Sequence, residues 1–434
     1  MKSRIFFVAA CTIFLSTSIT FGYEATFEPG ISVGTEYTDN LFLEDSGEES
    51  EWITTISPSF KADIRGKKAG ANISYMPSYA FYDDNDDLDR WRHTARLNGW
   101  AELSKNTRLK VSDYFLLTED PLSVADIAEV RVEDPDEIID TTLRKTRDKY
   151  YRNTANMTFS HQFGEFDNVN IGYRYYLMKN DVRTYNDKET HKPYMDLTYW
   201  FTHKWGANIG SSYTRADYDE EDDYDFIVAS GRLLRRFTQR LNGFVQFGYA
   251  TLDYDGNRED ADGYDVRAGF DYKISQDTFM SLSAGYAWLD RDTSSDESAP
   301  SLGVAVKRTL KKGVIYFTGS GGYKEPTAGA ETLGIREYYE VGTSVTYRLT
   351  RLFSGKAFAS YRYDDYLEYT PEREDKTTKA GLGLDWQILQ WMSLGLNYTF
   401  RTVDSDREIE EYDENRVFFS ISLFPSHPFR TSRY

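Results

Sequence analysis

Side chains that could carry out catalysis or bind a metal ion are few and scattered along this sequence. The histidines show no metal-ligand spacing: His93, His161, His191, His203 and His427. The one Gly-x-Ser-x-Gly match, residues 30–34, lies within an alternating extended segment and not at a turn into a helix, and there is no glycine-rich loop of the kind that cradles a phosphate. The formal net charge of −19 argues against a nucleic-acid partner, because phosphate contacts need a basic surface. The sequence therefore predicts neither an enzyme nor a cofactor, neither a bound metal nor a nucleic-acid complex.

The elements that would position the remaining polar side chains are extended segments with a strict two-residue alternation. Within residues 393–401, Leu394, Leu396, Tyr398 and Phe400 alternate with polar or small residues. Such runs are about ten residues long, which suits a tilted strand that crosses a membrane. A soluble all-β protein, such as a propeller or tandem sandwiches, is the alternative, but its outward faces would be polar.

The connectors between these segments are of two kinds. Tight turns at about residues 66–68, 105–106, 164–165, 204–205, 238–239, 276–277, 311–312, 350–351 and 389–390 alternate with longer acidic loops at 83–89, 119–140, 218–225, 253–262, 290–297, 368–375 and 404–414. Outer-membrane barrels have short periplasmic turns and long external loops. We therefore expect an all-β, antiparallel up-and-down transmembrane barrel of about 20 strands (range about 18 to 22), with both termini periplasmic.

The composition agrees with a barrel. Only 40% of the residues are hydrophobic and the mean hydropathy is −0.61, which is too low for a helical membrane protein. A barrel needs an apolar residue only at every second position of a strand. Aromatic residues make up 16% of the chain, with 34 Tyr, 27 Phe and 8 Trp. Such residues form girdles where a barrel meets the membrane–water interface.

The first 22 residues are typical of a secretory signal peptide, with Lys2 and Arg4 ahead of an apolar run. The only cysteine, Cys11, lies in this run, so cleavage would leave a chain without a thiol. Lipidation of Cys11 is the less favoured interpretation because the apolar run before it is short. The expected organisation is a signal peptide at 1–22, a barrel at 23–424 and a C-terminal tail at 425–434.

Residues 27–34, Phe-Glu-Pro-Gly-Ile-Ser-Val-Gly, and residues 37–42, Tyr-Thr-Asp-Asn-Leu-Phe, resemble the opening of a family of outer-membrane β-barrel porins. Some members of that family are associated with exopolysaccharide and exosortase (PEP-CTERM) gene clusters. The resemblance implies a porin-like barrel with a link to surface polysaccharide, and it brings no catalytic motif. It also implies a location in the outer membrane of a Gram-negative bacterium.

The last alternating run, 417–423, resembles the final strand that the barrel-assembly machinery of such bacteria recognises. Phe424 departs from the alternation, and ten further residues follow it. Either this strand or the terminal Tyr434 would then be the assembly signal.

The polar faces of the strands are expected to line a water-filled lumen. Charged lumen candidates are Arg96, Arg174, Arg267, Asp271, Lys273, Arg348, Arg362, Asp385 and Arg401, and aromatic candidates that could stack on sugars are Trp100, Tyr176, Trp200 and Phe244. Charges of both signs would bias the selectivity for solutes. The alternative for each charged residue is simple solvation or pairing across strands.

The long segment 119–140 is the best candidate for a constriction loop. The carboxylates proposed to narrow the pore are Asp120, Asp126, Glu129, Glu133, Asp134, Asp136, Glu137 and Asp140. Folded inward, it would place these groups in the pore and favour cations. The alternative is a loop that lies over the mouth outside the pore.

Two denser acidic groups, 83–87 and 217–225, could bind Ca²⁺ through carboxylate oxygens. Neither has the spacing or the glycine of a calcium-binding loop, so we prefer loose bridging by cations to lipopolysaccharide phosphates, or a role in solubility. The expected partners are therefore outer-membrane lipids and lipopolysaccharide, the assembly machinery and, on the resemblance, polysaccharide.

Three functions remain open at this point. The first is a porin-like channel for small hydrophilic solutes, which the polar inward faces favour. The second is a role in exopolysaccharide export or surface-matrix assembly. The third is a structural or adhesive surface barrel with a filled lumen. The sequence does not identify the solute, the pore radius or the oligomeric state.

Overall fold

The computed structural model describes residues 22–121, 145–182, 185–324, 334–368 and 373–433. Almost all of the regular structure is strand: β1 (Tyr23–Thr38), β2 (Glu51–Gly66), β3 (Ala69–Tyr82), β4 (Arg90–Ser104), β5 (Thr107–Thr118), β6 (Tyr150–Gln162), β7 (Asn168–Asn180), β8 (Lys188–Tyr199), β9 (Trp205–Tyr218), β10 (Tyr224–Arg236), β11 (Leu241–Tyr254), β12 (Ala261–Lys273), β13 (Thr278–Arg291), β14 (Glu297–Leu310), β15 (Gly313–Lys324), β16 (Arg336–Arg348), β17 (Phe353–Tyr366), β18 (Arg373–Leu389), β19 (Met392–Ser405), β20 (Tyr412–Leu423) and β21 (Phe429–Arg433). Two single 3₁₀ turns, Asp86–Leu88 and Glu408–Glu410, lie in connecting loops. Within the described ranges, no helix is long and apolar enough to cross a membrane.

The sheet closes on itself because β1 has partners on both sides. It pairs antiparallel with β2 along its whole length and with β20 on the opposite side, where Thr35 faces Phe419. Apart from a short pairing of β1 with β21, every other neighbouring pair is also antiparallel and consecutive in the chain, as in the pairing of β4 with β5. The result is the predicted antiparallel barrel, with 20 strands in its wall.

The short strand β21 extends the wall beyond the end of β20. After a break at 424–428 it pairs with the beginning of β1, and Phe429 lies opposite Phe27. The sequence pattern places the end of the barrel at residue 424 because the alternation stops there. Strands pair through backbone hydrogen bonds, which do not require apolar side chains at every second position. Most of the segment expected to be a tail can therefore join the sheet.

The alternation of the sequence becomes an apolar exterior. On β18 and β19, Leu382 lies opposite Tyr398 and both face outward, whereas the next pair, Gly381 and Thr399, faces inward. Leu382 is 60% exposed and Val245 is 55% exposed. Large apolar side chains are exposed in this way on nearly every strand, and they make a continuous surface that only lipid can cover favourably.

One polar pair interrupts the apolar exterior near the middle of the wall. Asp113 on β5 and Asn153 on β6 both face outward, next to Leu97 and Ala155. The amide Nδ2 of Asn153 donates to the Asp113 carboxylate at 3.2 and 3.3 Å and to the Tyr114 carbonyl at 3.1 Å. This hydrogen bonding offsets part of the cost of placing a carboxylate against lipid.

A charge placed on the lipid-facing side should destabilise the barrel, whereas the same charge on the lumen side should not. We expect Leu382→Arg to lower the free energy of unfolding in lipid bilayers by about 2–4 kcal/mol, because Leu382 lies halfway along β18. The matched control is Ser420→Arg, because Ser420 faces the lumen between the glycines Gly34 and Gly395 of the two neighbouring strands. Urea titration in vesicles measures both, and equal losses for the two variants would contradict the assignment of faces.

Candidate functional site

The lumen has two different ends. At the end formed by the tight turns, inward side chains such as Glu102, Lys110 and Arg348 are exposed. At the end formed by the longer loops, inward side chains are buried, and Glu36 and Arg416 are only 4% and 2% exposed. Water therefore reaches the lumen wall from the tight-turn end, and protein fills the space at the loop end, which we call the mouth.

A group of buried charges occupies one side of the mouth, and we call it the mouth cluster: Glu36, Arg92, Glu119, Asp120, Arg147, Glu414 and Arg416. Arg416 of β20 is at its centre. Its Nη1 lies 3.0 Å from Oδ2 of Asp120, its Nε lies 2.6 Å from Oε1 of Glu414, and Glu36 is 3.5 Å away. Asp120 follows β5, so this arginine joins parts of the wall that are several strands apart.

The loop between β1 and β2 folds into the mouth and is attached to the mouth cluster. Arg147 donates from Nε to the carbonyl of Leu41 at 3.0 Å, and its Nη1 lies 3.3 Å from Asp120. The side chains of Leu41 and Leu43 are fully buried, and Leu43 packs against Val403 and Tyr412. Apolar contacts and a charged anchor thus hold this loop inside the barrel.

Arg92 and Glu119 complete the mouth cluster. The Nε of Arg92 donates to Oε1 of Glu119 at 2.8 Å, and the hydroxyl of Tyr82 donates to the same oxygen at 2.6 Å. The Glu119 side chain is completely buried. A buried carboxylate is tolerable here because both a cation and a hydroxyl contact it.

The carboxyl of Asp120 stays ionised in this setting. Burial alone would raise its pKa, but Arg416, Arg147 and Arg92 outweigh that effect and hold the pKa of Asp120 below its usual range. A carboxyl with a lowered pKa contributes stability that is lost only when the pH falls toward that lowered value. The ion pairs of Asp120 with Arg416 and Arg147 are therefore expected to persist at mildly acidic pH.

The other side of the mouth is filled mainly by apolar side chains. Tyr224, Leu252 and Leu289 belong to a buried group contributed by β9 to β13, and Ile335, from the connection between β15 and β16, packs into it. Arg258 lies 3.6 Å from Glu368, which joins the loop after β11 to the loop after β17. Burial raises the pKa of Glu368, even though the Ile335 amide donates to this carboxylate at 2.8 Å.

All of the charged residues proposed from sequence as lumen-lining lie at inward positions: Arg96, Arg174, Arg267, Asp271, Lys273, Arg348, Arg362, Asp385 and Arg401. These residues are distributed around the wall of the barrel and do not form a single cluster. Arg401 is buried in the mouth, whereas Lys273 and Arg348 are exposed near the tight turns.

Some of these charges are paired. Arg267 donates from Nε to Asp265 at 2.7 Å, and the Nε of Arg362 lies 2.7 Å from Asp364. Pairing across or along strands, which the sequence left open, thus occurs at these two arginines.

Of the carboxylates proposed for a constriction loop, Asp120 is the one whose position is described. Asp126, Glu129, Glu133, Asp134, Asp136, Glu137 and Asp140 lie outside the described residues. Asp120 does face inward, but it is 2% exposed and paired with arginines. Its charge is therefore compensated inside the protein and is not presented to a passing solute.

The aromatic lumen candidates also face inward, and cations cover several of them. Guanidinium groups lie over the rings of Trp100, Trp200 and Phe244 at 5.2, 4.3 and 4.2 Å from the ring centres, contributed by Arg108, Arg236 and Arg232 respectively. The Tyr176 hydroxyl contacts the sulfur of Met178 at 3.4 Å. One face of each covered ring is therefore occupied.

The mouth cluster was not expected from the sequence. A partial signal exists, because Glu36, Arg92 and Arg416 each lie on the polar face at the loop end of a strand. Arg147 and Leu41 give no such signal, because they lie in irregular segments. Within the described ranges, no group of three or more His, Cys, Asp or Glu side chains could hold a metal ion.

Solved structures with the same architecture are outer-membrane proteins. The ferric enterobactin receptor of Pseudomonas aeruginosa matches with a TM-score of 0.50 at 9% identity, over 92% of this chain and 81% of that one. The siderophore receptor PirA of Acinetobacter baumannii matches with a TM-score of 0.51 at 8% identity, over 92% and 80%. A BenF-like porin of Pseudomonas fluorescens Pf-5 aligns at 10% identity over 92% and 99%, with a TM-score of 0.43. At such identities the likeness concerns the fold alone.

No curated protein matches the chain. The family model described as "Putative beta-barrel porin 2" matches residues 24–168 and 327–423, which together are more than half of the sequence. These two segments hold all of the residues of the mouth cluster. The chain is an outer-membrane β-barrel that belongs to this porin family.

Proposed function

We propose that the protein is a channel that lets small hydrophilic solutes cross the outer membrane. The observation that carries this proposal is the wall of the lumen, where inward positions along the strands are polar, charged or small while the outward positions are apolar. A barrel of this size encloses enough space for water and solutes. The family supports a porin-like role without naming a solute.

The orientation follows from the connectors. Tight turns face the periplasm in this class of barrel and long loops face the outside. The mouth is then at the external end, and solutes entering from outside meet the inward-folded loop between β1 and β2 before they reach the wider lumen. In this arrangement the mouth cluster acts as a constriction whose stability sets how often the channel opens.

A role in exopolysaccharide traffic is the second candidate. The inward aromatic side chains, with hydroxyl and amide groups between them, offer surfaces for sugar rings. Because guanidinium groups already cover Trp100, Trp200 and Phe244 on one face, stacking would use their other faces. A deletion strain with unchanged surface polysaccharide would remove this candidate.

Conductance in planar bilayers tests the channel proposal. We expect purified, folded protein to give discrete current steps in KCl, because each opening of the mouth would connect the aqueous lumen to the external solution. A variant that lacks residues 40–49, the loop that fills the mouth, should give larger steps. Absence of current from both the intact and the shortened protein would instead support a structural barrel with a filled lumen.

Loss of the central carboxylate should open the mouth. In Asp120→Asn, Arg416 and Arg147 lose their shared partner while they stay buried, and breaking a buried pair in this way costs about 3–5 kcal/mol locally. We expect a higher open probability in single-channel records, with the barrel still folded. The control is Asp404→Asn, since the Asp404 side chain is 68% exposed and should change nothing. Identical gating in the two variants would show that the mouth cluster does not control opening.

A further inference from the structure

A groove lies on the outer face of the barrel, at the end formed by the tight turns. Its walls come from β10 to β13, and its volume is about 740 Å³. That volume is within the range of pockets that bind small organic molecules. Its main lining residues are Phe237, Leu241, Gly243, Phe270, Tyr272 and Met280. These residues face away from the lumen, so the groove opens toward lipid, and we call it the turn-end groove.

A glycine makes room for the turn-end groove. Gly243 lies between Arg235 of β10 and Phe270 of β12 in the register of the sheet. A Cβ added at Gly243 would come within 2.6 Å of Cε2 of Phe237, so the Phe237 ring covers this glycine. A larger residue at 243 would push the ring aside, and its own side chain would occupy the floor of the groove.

Arg240 is at the rim of the turn-end groove, in the turn between β10 and β11. Its backbone N–H donates to the hydroxyl oxygen of Thr238 at 3.1 Å, and its carbonyl accepts from the N–H of Lys273 at 2.8 Å. The backbone of Arg240 is thus fixed on both sides, while its side chain is exposed. The guanidinium group can contact a ligand in the groove without a rearrangement of the turn.

Arg235 supplies a second cation beside the groove. Its exposed side chain faces outward, and its guanidinium carbon lies 5.0 Å from the ring centres of both Trp205 and Phe237. Such contacts hold an arginine at the level of the aromatic girdle, where lipid headgroups lie. Among the described residues, neither Arg235 nor Arg240 forms an ion pair with a carboxylate, so both can pair with an anion from outside the protein.

The outer faces of these strands differ in charge between their two ends. At the turn end of β9 to β15, the charged residues that face outward or lie in the turns are the cations Lys204, Arg235, Arg240, Arg308, Lys311 and Lys312 and the acid Asp277. At the loop end of β9 to β13, the charged outward residues are the acids Asp217, Asp225, Asp253, Asp262 and Asp290 and the cation Arg215. An anionic lipid is therefore attracted to the turn end and repelled from the loop end.

We propose that the turn-end groove binds an anionic phospholipid, whose acyl chain lies against Phe270 and Met280. Arg235 and Arg240 hold the phosphate of this lipid at the rim, and the Tyr272 hydroxyl is a further donor. An apolar groove beside two cations matches the apolar chain and the charged headgroup of such a lipid. In the orientation proposed above, the lipid belongs to the periplasmic leaflet. The inference concerns the outer face of the barrel and does not depend on whether the lumen conducts.

Native mass spectrometry of the detergent-solubilised protein tests the proposal, because it counts the lipids bound to each barrel. Phosphatidylglycerol is compared with phosphatidylcholine, which can have the same acyl chains but carries no net charge. Phosphatidylglycerol should bind about 25-fold more tightly, since each of two cations near a headgroup contributes about fivefold. The variant Arg235→Gln with Arg240→Gln should bind the two lipids alike. Both arginines are exposed, so the variant should fold, which the change in gel mobility on heating can verify.

The matched control for charge is Lys67→Gln with Lys68→Gln, in the turn between β2 and β3 at the same end of the barrel. It removes the same charge away from the groove and should keep the preference for phosphatidylglycerol. Equal losses in the two double variants would show a diffuse attraction in place of a site and would overturn the inference. Equal binding of the two lipids by the unaltered protein would also overturn it.

The variant Gly243→Leu tests the groove while both arginines stay in place. It should weaken the binding of phosphatidylglycerol severalfold, because the new side chain fills the space for the acyl chain. The matched control is Gly231→Leu, since Gly231 also faces outward but an added Cβ there would meet nothing within 4 Å. Unchanged binding in Gly243→Leu, or equal losses in the two variants, would contradict the assignment of the groove.

A soluble headgroup separates a lipid site from a site for free phosphate groups. Glycerol 3-phosphate has the phosphate of the lipid without its acyl chains, so at the same concentration it should not displace phosphatidylglycerol. Full displacement would show that the arginines bind phosphate alone, and it would overturn the proposal of a lipid site.

Discussion

The absence of water in a bilayer is the constraint on which the rest of this structure depends. Each backbone N–H and C=O group in the hydrocarbon must find its partner within the protein, and a sheet can achieve this only by closing. Here closure is made at β1, which pairs with β2 on one side and with both β20 and β21 on the other. The second segment matters because β20 begins its pairing at Ile31 and leaves the first residues of β1 without a neighbour. The strand Phe429–Arg433 supplies a neighbour for Tyr23 to Phe27 and so covers most of that edge.

Closure also explains how so polar a chain can lie in a membrane. Along each strand, one residue contacts lipid and the next contacts the water of the lumen, so an apolar content of 40% is sufficient. The outward set includes Ile209, Val245 and Leu382, all at least half exposed. Asp113 is the exception that tests this explanation, because its carboxylate faces outward halfway along β5. The amide of Asn153 on the next strand contacts both oxygens of this carboxylate, so the carboxylate has a hydrogen-bond donor although it faces lipid.

The strands were predictable because apolar residues at every second position show which face of the sheet each residue of a strand occupies. The sequence alone placed Arg174 and Trp100 in the lumen and a turn at residues 311–312, and the structure has them there. The mouth was not predictable in the same way. Arg416 and Asp120 are 296 positions apart, and their contact depends on the number of strands and their stagger, which no local pattern encodes. The inward fold of the loop after β1 depends on burial of Leu41 and Leu43, in a segment that has no period at all.

The charges of the mouth cluster compensate one another, and this limits what the mouth cluster can do. Removal of a charge from water is expensive, so Arg416 is surrounded by the carboxylates of Asp120, Glu414 and Glu36. Charges that compensate one another at such short range project little field into the lumen. Within the proposed channel, the mouth cluster can therefore regulate access without selecting solutes by the sign of their charge.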